Sequence, residues 1–368
     1  MLKYLLVLIL ILHYVNSMEQ GEFVKVISKD DDSIRSLTYS DLIPGTFYVS
    51  GKTLLFDNHS TSIDTSAFYF SSGLASLFGL PLSYYYAYSE TNVEPGNISS
   101  NGVVSAFAPA VIVEYEETNG EEGYQLDQDT VLGWIRLDLY GGFDIESTSQ
   151  DVSGTKNGKD FTTKVYNITA TSPNGLFGMR FIVPGASIEV DGTELNANQS
   201  KSDIFINGYY DSSINDKSLL CSVNSPQFSC QSTGPSGNAN SRLALATFFL
   251  TKEYNVNAAT FNPRALKIKG KLDIEIGLSW VDKANIKGVE VKVHSSVQAF
   301  NNGKKFLNTK FNSKFSGQLI IFSFDGVRPD NIVYDPVQGE IVDSEPSSAS
   351  KSIISSLLIL FAVLFSLF

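Results

Sequence analysis

The sequence predicts an all-β protein, an antiparallel β-sandwich built either as two packed sandwich domains or as one large double-sheet domain. Three observations carry that reading. Apolar and polar residues alternate in short runs along most of the chain, the pattern of a strand with one buried face. Turns rich in Gly and Asn punctuate these runs, as in sandwiches. No stretch places apolar residues at helical spacing between a cap and a stop signal. With 43% hydrophobic, 12% aromatic and 18% charged residues, the chain has ample apolar surface for a core.

The elements follow in order. Residues 23–27, 46–50, 67–70, 84–88, 110–115 and 131–140 suit strands, and in the last of these Ile135, Leu137 and Leu139 alternate with Arg136 and Asp138. Residues 187–190 and 193–195 flank Asp191-Gly192. This is the strongest hairpin signal in the chain, because a type I′ turn needs positive φ at both central residues. Residues 266–280 read as one unusually long strand. Leu266, Ile268, Leu272, Ile274, Ile276, Leu278 and Trp280 share one face, and Gly270 and Gly277 are possible bends. Val289, Val291 and Val293 continue the alternation against Glu290, Lys292 and His294. Asn301-Asn302-Gly303 turns the chain toward Phe306, and 319–324 is a further strand. These pieces read as an antiparallel meander. Phe322-Ser323-Phe324-Asp325 and Tyr334-Asp335-Pro336 look like a deliberate end to the domain.

Size suggests a division, since about 330 residues between the ends exceed what one sandwich usually needs. The expected join is Thr171-Ser172-Pro173-Asn174-Gly175, with one sandwich over 18–172 and a second over 173–343. Residues 231–241 read as a surface loop.

The ends give an address. Residues 1–17 read as a secretory signal peptide: Lys3, an apolar run over 5–12, then Val15 and Ser17 before a cut ahead of Met18. Residues 344–368 read as a short stalk and a GPI-attachment signal. Small residues at 347–350 precede a polar spacer and the apolar run 357–368, with Ser347 or Ser348 as the anchor site. The alternative is a single membrane span, for which 353–368 is short. Four sequons, at Asn58, Asn97, Asn167 and Asn198, fit an exported chain and place four glycosylated loops in solvent. Cys221 and Cys230 are the two cysteines, and in an oxidising compartment they form one local disulfide.

Charge narrows the partners. The chain carries 27 Lys+Arg against 39 Asp+Glu, a net −12. Without its two ends it has 25 against 39, or −14. Such a balance argues against a nucleic-acid partner. Within it, residues 242–314 hold 13 basic and 5 acidic residues. Lys267, Lys269 and Lys271 share one strand face, a possible ligand surface for anionic groups or a solvated edge guarded by lysines. Tyr84, Tyr86 and Tyr88 likewise share a face, with Tyr85 opposite. They form either a platform for a glycan or protein or part of a core strand, and Pro81 suggests an edge.

Catalytic constellations are scarce. Beyond the signal peptide the histidines are His59, inside a sequon, and His294. Nothing selects either for a Ser-His-Asp triad. There is no Gly-x-Ser-x-Gly elbow, no His-Glu-x-x-His and no phosphate loop. No catalytic residue and no cofactor are assigned. Asp127 and Asp129, and the run Asp30-Asp31-Asp32, are oxygen donors for Ca²⁺ at most. The expectation is a cell-surface glycoprotein on the outer leaflet of the plasma membrane, lipid-anchored, with a non-catalytic binding or adhesion role toward a protein or glycan. The alternatives are an extracellular hydrolase using paired carboxylates and a structural coat component.

Overall fold

The computed structural model describes residues 24–26, 34–43, 46–54, 66–77, 80–91, 103–140, 142–156, 158–215, 234–252, 264–269, 275–299 and 315–339. The first seven strands are β1 (Val24–Val26), β2 (Ile34–Ile43), β3 (Thr46–Leu54), β4 (Ser66–Leu77), β5 (Leu80–Thr91), β6 (Val103–Glu116) and β7 (Thr130–Arg136). A 3-10 turn, Leu137–Tyr140, is the only helical element among the described residues. Next come β8 (Asp144–Lys156), β9 (Lys159–Thr171), β10 (Phe177–Pro184), β11 (Ile188–Val190), β12 (Thr193–Leu195) and β13 (Gln199–Ile206). The last are β14 (Arg242–Lys252), β15 (Ala265–Lys269), β16 (Glu275–Ser279), β17 (Lys283–Ile286), β18 (Val289–Ala299), β19 (Phe315–Phe324), β20 (Ile332–Tyr334) and β21 (Val337–Gly339).

All ladders are antiparallel. One sheet runs β2–β3–β4–β5–β6–β14–β19–β18, and β7 takes the part of the β6 edge that β5 leaves. The other runs β8–β9–β10–β13, whose far edge takes β21 and β20 end to end. From there β21 continues to β16 and β15, and β20 to β17 and β18. Strand β18 therefore belongs to both sheets and forms the corner between them.

The two sheets close on one core. Phe107, Ile112, Leu245, Phe249, Ile320 and Phe322 come from the first sheet, and Ile168, Met179, Phe181, Ile204, Ile206 and Tyr334 from the second, all buried in one cluster. Phe322 is the hinge of this packing. Its ring centroid lies 4.8 Å from that of Tyr334 and 5.7 Å from that of Trp280, both pairs inclined rather than stacked, as ring quadrupoles prefer.

A third layer is small. Strands β1, β11 and β12 form a separate sheet. Ile188, Val190 and Leu195 of that sheet pack with Val152, Val165 and Ile182 of β8, β9 and β10. Ile182 follows Phe181, a residue of the main core, so this cluster lies on the outer face of the second sheet. The hairpin at Asp191-Gly192 forms as expected, with φ of 51° and 76°.

Two expected strands change, and the first is 131–140, which ends at Arg136 and passes into the 3-10 turn Leu137–Tyr140. Residues 266–280 are not one strand: β15 and β16 pair with each other, Leu266 opposite Leu278 and Ile268 opposite Ile276. Two-residue alternation survives a reversal that keeps the same face inward, so the pattern reads straight through the bend. The expected join at 172/173 falls in a turn between two paired strands. Ser172 begins the turn between β9 and β10, which are paired, and its backbone N–H donates to the Phe177 carbonyl at 2.8 Å. Strand β6 pairs with β14 across the expected boundary. Sheet pairing and the main core thus both run across the expected join.

Candidate functional site

The residues singled out in the sequence do not converge. Tyr84, Tyr86 and Tyr88 lie on β5, opposite Gly73, Ser71 and Tyr69 of β4. Residues 83–87 of β5 pair with β4 on one side and β6 on the other, so Tyr84 and Tyr86 do not lie on a sheet edge. The side chains of these three tyrosines lie outside the described residues. Tyr85 is fully buried, and its hydroxyl donates to the Asn198 carbonyl at 2.6 Å. Lys267 is half-buried on β15, and Lys269 sits on the same strand opposite Glu275. Lys271 lies outside the described residues, as do Asn58, Asn97, Cys221, Cys230, Ser347 and Ser348.

Asn167 is not in a loop. It sits in the middle of β9, between Thr148 of β8 and Ile182 of β10, and is half-buried. Asn198 does sit in a turn, between β12 and β13, where its N–H donates to Asn196 Oδ1 at 2.8 Å.

Asp129 is occupied by its own loop. Its Oδ1 accepts from the Thr118 N–H at 3.0 Å and its Oδ2 from the Gln125 N–H at 2.7 Å. A carboxylate with a backbone donor on each oxygen organises the 117–129 loop. Asp127 takes φ of 65° in the same loop. No group of three or more His, Cys, Asp or Glu able to hold a metal occurs among the described residues.

Three polar clusters absent from the sequence reading dominate instead. The first surrounds Glu114 of β6, which is fully buried. Its oxygens accept from the Ser236 N–H and the Ser236 hydroxyl, both at 2.7 Å, and from the Tyr209 hydroxyl at 3.4 Å. Glycine makes the approach possible: a Cβ on Gly133, the ladder partner of Glu114, would meet Gly234 Cα at 2.6 Å. Burial, then the charge of Glu114, pushes the Tyr209 hydroxyl well above its ordinary pKa. Beside it Glu116 accepts from Asn238, and the Arg328 guanidinium lies 4.2 Å from the Tyr210 ring centre. The group pins residues 234–238 onto the sheet.

The second cluster gathers at the 117–129 loop. His294 Nε2 lies 3.3 Å from Asp325 Oδ1 and 3.6 Å from Glu122 Oε2. Lys292 pairs with Glu122 at 2.6 Å, and Arg242 joins Glu117 and Asp325 at 3.1 and 3.6 Å. The Lys292 hydrogen bond and charge hold the Glu122 carboxyl below the usual range. Ser323 faces His294 in the ladder, so Ser, His and Asp do meet here. Ser323 is buried, however, and its hydroxyl accepts the Tyr124 N–H at 2.9 Å. A nucleophile needs access and a base on its hydroxyl, and this hydroxyl instead fastens the loop.

The third cluster lies on the outer face of the second sheet, alongside the β11–β12 hairpin. Lys201 and Asp203 of β13 have fully buried side chains. Lys201 Nζ is 2.7 Å from Asp203 Oδ1 and 3.0 Å from Asp335 Oδ2, in the β20–β21 connection. Arg180, opposite Asp203 in the ladder, donates from Nε to Asp203 Oδ2 at 2.5 Å and also pairs with Asp191 in the hairpin turn. Burial opposes the Lys201 charge, but Asp203 and Asp335 outweigh it and hold its pKa above the ordinary lysine value. Burial raises the Asp203 carboxyl despite Lys201 and Arg180. Sequence held a partial signal for this group: Lys201 and Asp203 interrupt a strand-like run, and Asp335 was marked as part of a domain end.

Comparison with protein-family models, with curated proteins and with solved structures returns no match.

Proposed function

We propose that the protein is an exported glycoprotein held on the outer leaflet of the plasma membrane by a GPI anchor after Ser347 or Ser348, and that its double-sheet unit is a non-catalytic binding or adhesion ectodomain. One observation carries this reading: a secretion signal at 1–17 occurs with the series of small residues, polar spacer and apolar run at 347–368. Support from the fold is indirect. The polar clusters around Glu114 and Ser323 are closed by their own donors and acceptors. Each fastens a loop or a strand connection to a sheet. A rigid sandwich carrying firmly held loops is a scaffold for surface recognition.

The address is tested on intact cells expressing the full chain. A phosphatidylinositol-specific phospholipase C releases the folded ectodomain into the medium, and the released protein lacks the 357–368 peptide. Protein that stays with the cells and retains that peptide would overturn lipid anchoring in favour of a membrane span.

A further inference from the structure

We propose that Lys201 condenses with Asp335 to form an intramolecular side-chain amide that ties β13 to the β20–β21 connection. The argument begins with burial. A lysine whose side chain is wholly buried beside two carboxylates has its nitrogen held against an acyl carbon, so that proximity replaces a bimolecular encounter once the ammonium gives up a proton. Its contacts are close but poorly directed. Lys201 Nζ, Asp203 Oδ1 and Asp335 Oδ1 are each buried without a hydrogen bond of normal geometry. Leaving such atoms unsatisfied is costly, because each loses its water without gaining a partner. An amide between Nζ and Asp335 Cγ removes the buried ammonium together with the charge of the partly exposed Asp335 carboxylate.

Geometry selects Asp335 over Asp203. Lys201 and Asp203 are two residues apart on one strand face, and Asp203 is already held by Arg180. Asp335 comes from the neighbouring chain segment, kept in register by the Ser202 N–H bonded to the Pro336 carbonyl at 2.8 Å. Asp203 then has a separate task. It lies against the amine and is positioned to move protons.

The step balances without an oxidant or a second reactant. Asp203 takes a proton from the Lys201 ammonium, and the freed lone pair adds to Asp335 Cγ to form the C–N bond. Asp203 then passes protons from nitrogen to one Asp335 oxygen. The C–O bond breaks with its electron pair and that oxygen leaves as water. One ammonium and one carboxylate become one neutral amide and one water, and Asp203 is regenerated. Under the surface-anchored reading, the bond lies just before β21, so tension on the chain that peels β21 from the sheet stops at the bond. The chemistry does not depend on that reading.

Mass spectrometry of the folded, deglycosylated mature chain tests it. The expected mass is below the sequence mass by one water, beyond any loss from a disulfide, and digestion yields a branched peptide joining the Lys201 and Asp335 segments. Lys201→Arg restores the full mass. Asp335→Asn keeps the branch but forms it with loss of ammonia. Asp203→Ala leaves the chain uncondensed. A folded wild-type chain of full mass, giving separate linear peptides, overturns the proposal whatever the variants do.

Discussion

Asp203→Ala lowers the stability of the folded chain by about 3–5 kcal/mol, the cost of stripping one partner from a buried Lys201 charge that then keeps only Asp335, 3.0 Å away. The size follows from what Asp203 touches. Its carboxylate meets Lys201 at 2.7 Å and Arg180 at 2.5 Å, and its side chain, like that of Lys201, is fully buried. Arg180 retains Asp191 and is partly exposed, so it can regain water. Lys201 cannot. The exposed pair of Lys164 and Asp151, 2.6 Å apart, is the internal control, because breaking such a pair costs at most about 1 kcal/mol. Urea unfolding of Asp203→Ala and Asp151→Ala, read by far-ultraviolet circular dichroism, checks the contrast. Equal small losses would show that the buried cluster contributes no more than a surface pair.

Alkaline unfolding is the second large effect. Tyr115, Tyr209 and Tyr334 are buried, and burial is the first cause that raises each hydroxyl above its ordinary value. Tyr124 and Tyr140, also buried, are pushed up to about 12. A group whose folded pKa is raised contributes stability in full below its unfolded pKa and loses it as pH climbs toward the folded value. The window therefore opens at about pH 10, where tyrosine titrates in an unfolded chain. Each hydroxyl held neutral then removes about 1.4 kcal/mol per pH unit. Tyr115, Tyr209 and Tyr334 alone remove about 4 kcal/mol by about pH 11. Phenolate absorbance should rise late and together with loss of β-structure. Smooth titration near pH 10 with the fold intact would contradict the burial of these rings.

The fold class was legible because alternation is a local signal, and so was the 187–195 hairpin, because Asp191-Gly192 is itself the turn. What escaped was pairing. The pattern in 266–280 is the same whether the strand runs on or folds back, so the β15–β16 hairpin could not be read from it. Strand β8 is polar on much of its length, with Glu146, Asp151 and Ser153 exposed, and gave no alternation to find. Strand β14 is buried on both faces from Leu243 to Leu250, so it reads as an apolar run without a period. The polar clusters escaped for a different reason. Lys201 and Asp335 are 134 positions apart in sequence, and only the meeting of β13 with β20 and β21 joins them. Asp129 looked like a cation ligand because acidity is visible in sequence and the backbone N–H groups that bond to it are not.

The surface-binding role is tested most directly with the secreted ectodomain, residues 18–347, coated on beads of two colours and mixed with and without a calcium chelator. A binding or adhesion ectodomain should draw the beads into mixed-colour clusters, or onto cells that display its ligand. Because both Asp129 oxygens already accept backbone N–H groups of its own loop, the clusters should survive chelation. Beads that neither cluster nor attach to any cell surface, with the ectodomain folded by circular dichroism, would contradict the account.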